Sequence, residues 1–143
     1  MTKYIKYLGL KHDYDNVNCI TLIDMIYVNE LNNRIFTDVW KFFDIKKGHP
    51  EEKSRWSFRF SFEQLANWAN KNTTKVDWQK DLQEYDVLWF KTKKNRPMHF
   101  GMYTGVNEFI HIEEGGYSRI SFLNEEWRNQ MFGAYRSKSE VVQ

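Results

Sequence analysis

Apolar residues in the first quarter of the chain recur at the spacing of an α-helix. One run is apolar on most of its sides, which is typical of a buried helix; its members are Cys19, Ile20, Leu22, Ile23, Met25, Ile26 and Val28. Asn18 stands directly before this run, in the position of an N-cap residue. Asn32 and Asn33 mark its expected end. The pattern therefore predicts a buried helix that begins after Asn18.

Two further helices are predicted before the middle of the chain. A weak helical pattern covers residues 37–44, and a stronger one begins at Ser61. Ser61 and Gln64 have the spacing of a capping box, and the apolar stripe that follows consists of Phe62, Leu65, Ala66 and Ala69. The charged stretch 46–55 lies between them and contains Gly48 and Pro50, so it is expected to be an exposed loop.

Strand patterns begin after Lys75. Short apolar or alternating segments, separated by turn residues, are expected at 87–90, 98–103, 107–112, 119–122 and 133–136. A short helix over 124–131, with Asn124 as its N-cap, precedes the last of them. Helices followed by antiparallel strands indicate an α+β fold. At 143 residues the chain is expected to form a single domain, residues 1–143.

Composition excludes several classes of function. Lys and Arg number 21 against 19 Asp and Glu, and a net charge of +2 argues against binding nucleic acid through phosphate neutralisation. No apolar run approaches the roughly 18 residues that a membrane-spanning helix needs, and no signal peptide is visible. Aromatic residues make up 17% of the chain, which fits either a core built of rings or a groove for an extended polymer or a protein partner.

Two histidines face each other in the predicted hairpin. A three-residue loop centred on Gly105 would place His99 directly opposite His111, with Cβ atoms about 5 Å apart. Gly101 would lie opposite Phe109 on the same face. The other face would carry the core residues Met98, Phe100, Ile110 and Ile112. The two imidazoles are therefore expected on the outer surface of the hairpin, although a two-residue turn would change this register.

The only cysteine of the chain is expected to open the buried helix. A thiol at a helix N-terminus loses its proton more easily than one in mid-helix, because the helix dipole favours the anion. If the helix packs across the sheet, Cys19 is a candidate nucleophile, His99 its base and His111 the group that orients His99. The backbone N–H of Cys19 is a candidate donor to an oxyanion.

Each of these residues also has a simpler interpretation. A lone cysteine on an apolar helix face is often a small buried hydrophobic residue, and a strand histidine is often structural. A histidine pair across a hairpin also supplies two ligands for a metal, but the sequence offers only Glu113 or Glu114 as a nearby third ligand. We therefore expect neither a metal nor another cofactor.

Four segments, taken in order, resemble the NlpC-type cell-wall cysteine peptidases, a branch of the papain-like superfamily. They are residues 13–19 (DYDNVNC), 85–90 (YDVLWF), 99–103 (HFGMY) and 108–111 (EFIH). In that family the cysteine opens a helix, the base histidine begins a strand, and a third polar residue follows twelve positions later, as His111 follows His99. The family usually has Asp where this chain has Asn18, and Gly where it has Thr21.

The resemblance implies a fold, an activity and a set of site residues. It implies a papain-like α+β fold in which N-terminal helices pack on an antiparallel sheet. It also implies cleavage of the peptide stems of bacterial peptidoglycan, with Cys19, His99 and His111 as catalytic residues. Tyr7, twelve residues before the cysteine, and Asn18 would serve the oxyanion or the substrate, with Tyr14 as another candidate for the tyrosine.

The segments 123–136 and 7–10 also resemble the phage-encoded variety of this family. This implies a component of a phage tail or baseplate, made in the host cytoplasm and carried in the virion, whose partners are tail proteins and peptidoglycan. Asn18 and Thr21 motivate an alternative, a structural tail protein with little or no activity. A third possibility is amide hydrolysis or acyl transfer on a substrate outside the cell wall, because a scaffold does not determine a substrate.

Overall fold

Ten helices and strands make up the described part of the chain. The computed structural model describes residues 2–13, 16–36, 61–91 and 97–138. The chain begins with a 3-10 helix, Thr2–Tyr7. The α-helices are α1 (Cys19–Leu31), α2 (Ser61–Asn72) and α3 (Glu125–Asn129), and the strands are β1 (Thr73–Val76), β2 (Val87–Lys91), β3 (Pro97–Gly105), β4 (Glu108–His111), β5 (Arg119–Phe122) and β6 (Met131–Ser137). The predicted helix 37–44 and the charged stretch 46–55 lie outside the described residues.

Helix α1 has well-defined ends, which confirms the sequence prediction. The side-chain oxygen of Asn18 accepts the N–H groups of Ile20 and Thr21 at 3.0 and 2.9 Å. The Thr21 hydroxyl accepts the Asn18 N–H at 2.7 Å in return, so the two residues form a capping box. At the other end, Asn32 adopts the left-handed conformation that commonly ends a helix.

The strands form one antiparallel sheet in the order β1-β6-β2-β3-β4-β5. All the predicted strands are present, and α3 begins after its predicted N-cap, where the Asn124 side chain accepts the Trp127 N–H at 3.0 Å. Strand β1 was not predicted. It follows α2 without a turn and pairs with β6, and only its terminal residues, Thr73 and Val76, are buried, so it lacks a continuous apolar pattern.

The β3–β4 hairpin has a different register from the predicted one. Its turn consists of two residues, Val106 and Asn107, both with positive φ. This turn moves the pairing three residues from the predicted register, and a bulge between Tyr103 and Gly105 moves it back by one, so that Gly101, and not His99, lies opposite His111. The shift from the predicted register is two residues. Because side chains alternate along a strand, a shift of two keeps both histidines on one face.

Both faces of the sheet are covered in its central part. On one face, α1 and α2 pack on the sheet through a core that includes Leu22, Ile26, Trp68, Trp89, Phe100, Met102 and Ile110. On the other face a second cluster includes Leu88, Phe90, Phe109, Leu123 and Met131, with Trp127 of α3 packed against it. The histidine face of the hairpin is therefore not the outer surface that was expected. No helix in the described ranges is long and apolar enough to cross a membrane.

Candidate active site

Cys19 lies at the amino end of α1, where the helix meets β3. The side chain is partly buried, and the backbone N–H of Phe100 lies beside the sulfur. Burial raises the pKa of the thiol to about 11, and the N–H groups of Phe100, Cys19 and Ile20 only partly oppose this effect. The N–H groups at the helix end lower the thiol pKa, as expected, but the loss of hydration on burial outweighs them.

His99 and His111 form a hydrogen-bonded pair on the sheet face opposite α1 and α2. Nε2 of His99 lies 2.9 Å from Nδ1 of His111. Nε2 of His111 lies in turn 2.8 Å from Oγ of Ser121 on the neighbouring strand β5. The pairing of the two histidines agrees with the prediction. Ser121 was missed, and only a correct β4–β5 register would have pointed to it.

Burial keeps both imidazoles neutral. It lowers the pKa of His99 to about 4, the largest effect at that residue. It lowers the pKa of His111 to about 2, with a smaller contribution from the neighbouring His99. Both rings are therefore uncharged at neutral pH, and a neutral His99 has a ring nitrogen that can accept a proton.

Trp127 of α3 covers the histidine pair. Its ring centre lies 5.1 Å from that of His111 and 5.9 Å from that of His99. Phe90 and Phe109 complete the aromatic surroundings, at 5.0 and 5.1 Å from Trp127. The sequence predicted a helix here but gave no sign of which way its tryptophan points. These rings remove water from the pair, which accounts for the low pKa of both histidines.

Gly101 is required by the packing of the hairpin. It lies opposite His111, and a Cβ atom at this position would come within 2.7 Å of the Phe109 ring. Phe109 packs in turn against His111, with ring centres 4.4 Å apart. A larger residue would displace the ring that supports the histidine.

The side chain of Asn18, which was predicted to serve the oxyanion or the substrate, caps helix α1. The oxygen of Asn18 is bound to the N–H groups of Ile20 and Thr21, so it acts as a helix cap. The Cys19 N–H takes part in neither of these bonds and keeps its place at the helix end. Thr21, which replaces the family's glycine, completes the capping box.

The prediction for Tyr7 is wrong. Its hydroxyl donates to the Glu30 carboxylate at 2.6 Å, and Glu30 lies eleven residues after Cys19 on α1. A helix rises about 1.5 Å per residue, so Tyr7 anchors the carboxyl end of α1, roughly 16 Å along the axis from the sulfur. The alternative candidate, Tyr14, lies outside the described residues.

The structure shows no cluster of three metal-ligating side chains within the described ranges. Glu113, one of the two acidic residues near the predicted histidine pair, binds Arg119 through its carboxylate. Both ring nitrogens of His111 have partners, because Nδ1 contacts His99 and Nε2 contacts Ser121.

Comparison with known proteins identifies the family of this chain and supports its fold. The sequence profile of the NlpC/P60 family matches residues 6–136. The chain belongs to the NlpC/P60 family. Among solved structures, it resembles an NLP/P60-family protein from Staphylococcus aureus subsp. aureus Mu50, described as similar to lipoprotein, with a TM-score of 0.54 and 18% identity over 98% of this chain and 40% of the other. At that identity the likeness establishes the fold alone, which is the predicted mixture of helices and antiparallel sheet.

A curated relative of this NlpC/P60 chain is the probable peptidoglycan endopeptidase LytE of Bacillus subtilis (strain 168). The two are 39% identical over 51 residues, which is 36% of this chain and 15% of the relative. The chain thus matches only a small part of the length of that protein.

Proposed function

We propose that this NlpC/P60 chain is a cysteine endopeptidase that cleaves the peptide stems of bacterial peptidoglycan. The observation that carries the proposal is the hydrogen-bonded pair of neutral histidines on β3 and β4, together with a thiol placed against β3 at the residue after His99. Membership of the family and the likeness to a probable peptidoglycan endopeptidase support the choice of substrate.

The proposed reaction uses Cys19, His99 and His111 as the catalytic group. His99 accepts the thiol proton at Nδ1, the ring nitrogen that does not contact His111, and the sulfur attacks the carbonyl carbon of the scissile bond. The Cys19 N–H stabilises the oxyanion. His99 then returns the proton to the leaving amine, and water hydrolyses the acyl-enzyme. His111 holds the His99 ring in place. A part for Asn18 in substrate binding stays a prediction.

Digestion of purified peptidoglycan tests this function. We expect mass spectrometry to show stems cut at one peptide bond, with no new reducing sugar ends. A synthetic amide with no cell-wall feature serves as the control substrate. Cleavage of glycan strands would contradict the proposal, and so would the absence of peptide products. Turnover of the control amide alone would support the third possibility, chemistry outside the wall.

A second candidate is the same domain as a structural protein with little activity. The observation in its favour is the buried thiol, whose pKa is raised to about 11. Alkylation by iodoacetamide between pH 6 and 10 separates the two, with His99→Ala as the control. In a peptidase, labelling of Cys19 near pH 7 depends on His99 as base and falls in the variant. In a structural protein, labelling of Cys19 rises only at alkaline pH, and both proteins behave alike.

We also propose, on the resemblance alone, that the chain is a component of a phage tail or baseplate and is carried in the virion. The structure gives other roles to residues that carry the resemblance: Trp127 covers the histidines, and Arg136 makes a bidentate ion pair with Asp86 at 2.8 Å. The tail location therefore needs its own test, which is detection of the chain by mass spectrometry in purified phage particles.

A further inference from the structure

Ser121 contacts the histidine pair from β5 and has no part in the reaction proposed above. Strand β5 pairs with β4 so that Arg119 lies opposite His111 and Ser121 lies opposite Phe109. Ser121 is therefore diagonal to His111 on the same sheet face. Its Oγ lies 2.8 Å from Nε2 of His111, whose side chain is fully buried.

The proposed proton transfer requires a hydrogen-bond acceptor beside Nε2 of His111. A neutral imidazole carries one N–H and an imidazolium carries two. When His99 has accepted the thiol proton at Nδ1, its Nε2 also carries a proton and donates it to Nδ1 of His111. His111 must then carry its own proton on Nε2. Oγ of Ser121 is the atom at hydrogen-bond distance from that proton.

We infer that Ser121 is a positioning residue. It is the last acceptor in the series of hydrogen bonds that runs from His99 through His111. The inference rests on the proposed function. In the opposite arrangement Ser121 donates to His111, His111 donates from Nδ1 to His99, and His99 carries its proton on Nδ1. His99 then cannot accept the thiol proton. Only one proton moves in the productive step, from sulfur to His99 Nδ1, and no bond to Ser121 forms or breaks.

Arg119 restrains the same oxygen. Its Nε donates to Oγ of Ser121 at 3.4 Å, and its Nη2 is held by the Glu113 carboxylate. Guanidinium groups donate only, so the serine oxygen accepts this bond, and its second lone pair accepts from His111. Arg119 therefore favours the acceptor role of the hydroxyl.

A pair of substitutions tests the inference by kinetics. Ser121→Ala is expected to lower kcat by about tenfold with KM unchanged, because the charged state of His99 loses its terminal acceptor. Ser121→Thr keeps the hydroxyl on a residue suited to a strand and should restore most of kcat. Thr74→Ala on the exposed part of β1 is the control for loss of a sheet hydroxyl. Equal kcat values for Ser121→Ala and Ser121→Thr would overturn the inference.

Side-chain ¹⁵N spectra test it without any substrate. We expect His99 and His111 of the native protein to carry their protons on Nε2, and Ser121→Ala to shift both rings towards Nδ1 protonation. Native His111 protonated on Nδ1 would overturn the inference. Because this measurement needs no cell wall, the expected spectra together with absent cleavage would mean that the proposed function failed while the tautomer assignment held.

Discussion

Replacing Cys19 with alanine is expected to lower the rate of stem-peptide cleavage by about 10⁴-fold or more, because the acyl-enzyme can no longer form. Cys19→Ser is expected to be nearly as inactive, since a hydroxyl is a far weaker acid than a thiol and His99 is a weak base in its buried site. Both variants keep the Asn18 cap and should fold. Rates are measured by mass spectrometry of released peptides, and folding by urea unfolding.

Met25→Ala is the matched control for these variants. Met25 lies six residues further along α1, is partly buried, and packs against the same core as Cys19. We expect it to lose stability but to keep the rate within about twofold, because it is remote from the helix end. Folded Cys19→Ala protein that cleaves at a tenth of the native rate or faster would rule out Cys19 as the nucleophile.

Most of the fold could be predicted from local signals in the sequence. The limits of α1 follow from Asn18 and Asn32, each of which satisfies backbone groups within one turn of its own position. The role of Thr21 was missed although it is equally local. Because the family usually has glycine at this position, Thr21 was interpreted only as a departure from the family. The bond that its hydroxyl accepts from the Asn18 N–H was not predicted.

The details of the site could not be derived from local signals. The hairpin register depends on Val106 at positive φ, a conformation that β-branched residues rarely adopt. It also depends on a bulge that the residue types at Tyr103–Gly105 did not predict. The prediction that both histidines lie on one face is still correct, but only because the predicted and observed registers differ by an even number of residues. The burial of the pair depends on Trp127, which reaches it through tertiary packing.

The free energy of unfolding is expected to fall steeply as the pH drops below 6.5. Both histidines have a folded-state pKa below their ordinary value of 6.5, about 4 for His99 and about 2 for His111. Below pH 6.5 the unfolded chain therefore binds protons that the folded chain excludes. Each histidine contributes a loss of about 1.4 kcal/mol per pH unit, which continues until its folded-state pKa is reached.

The carboxyl groups with shifted pKa values do not add to the loss between pH 6.5 and 5. Hydrogen bonds from Tyr7 and Lys6 lower the pKa of Glu30, so its contribution is lost only below its ordinary value of 4.5. Burial raises the pKa of Asp24, which opposes the loss by letting the folded state bind a proton. Burial also lowers the pKa of His12, which adds to the loss in the same direction as the pair. The range from pH 6.5 to 5 is therefore the one in which histidines dominate.

Urea unfolding at pH 7.0, 6.0, 5.5 and 5.0 measures this dependence, with the double variant His99→Gln and His111→Gln as the control. Glutamine keeps hydrogen-bonding groups but does not titrate, so the slope between pH 6 and 5 should fall by about 1.4 kcal/mol per pH unit for each histidine replaced. Equal slopes in the native protein and the variant would mean that the pair is charged or hydrated when folded. The assignment of His99 as neutral and buried would then be wrong. The proposed proton transfer, which begins from a neutral His99, would lose its starting state.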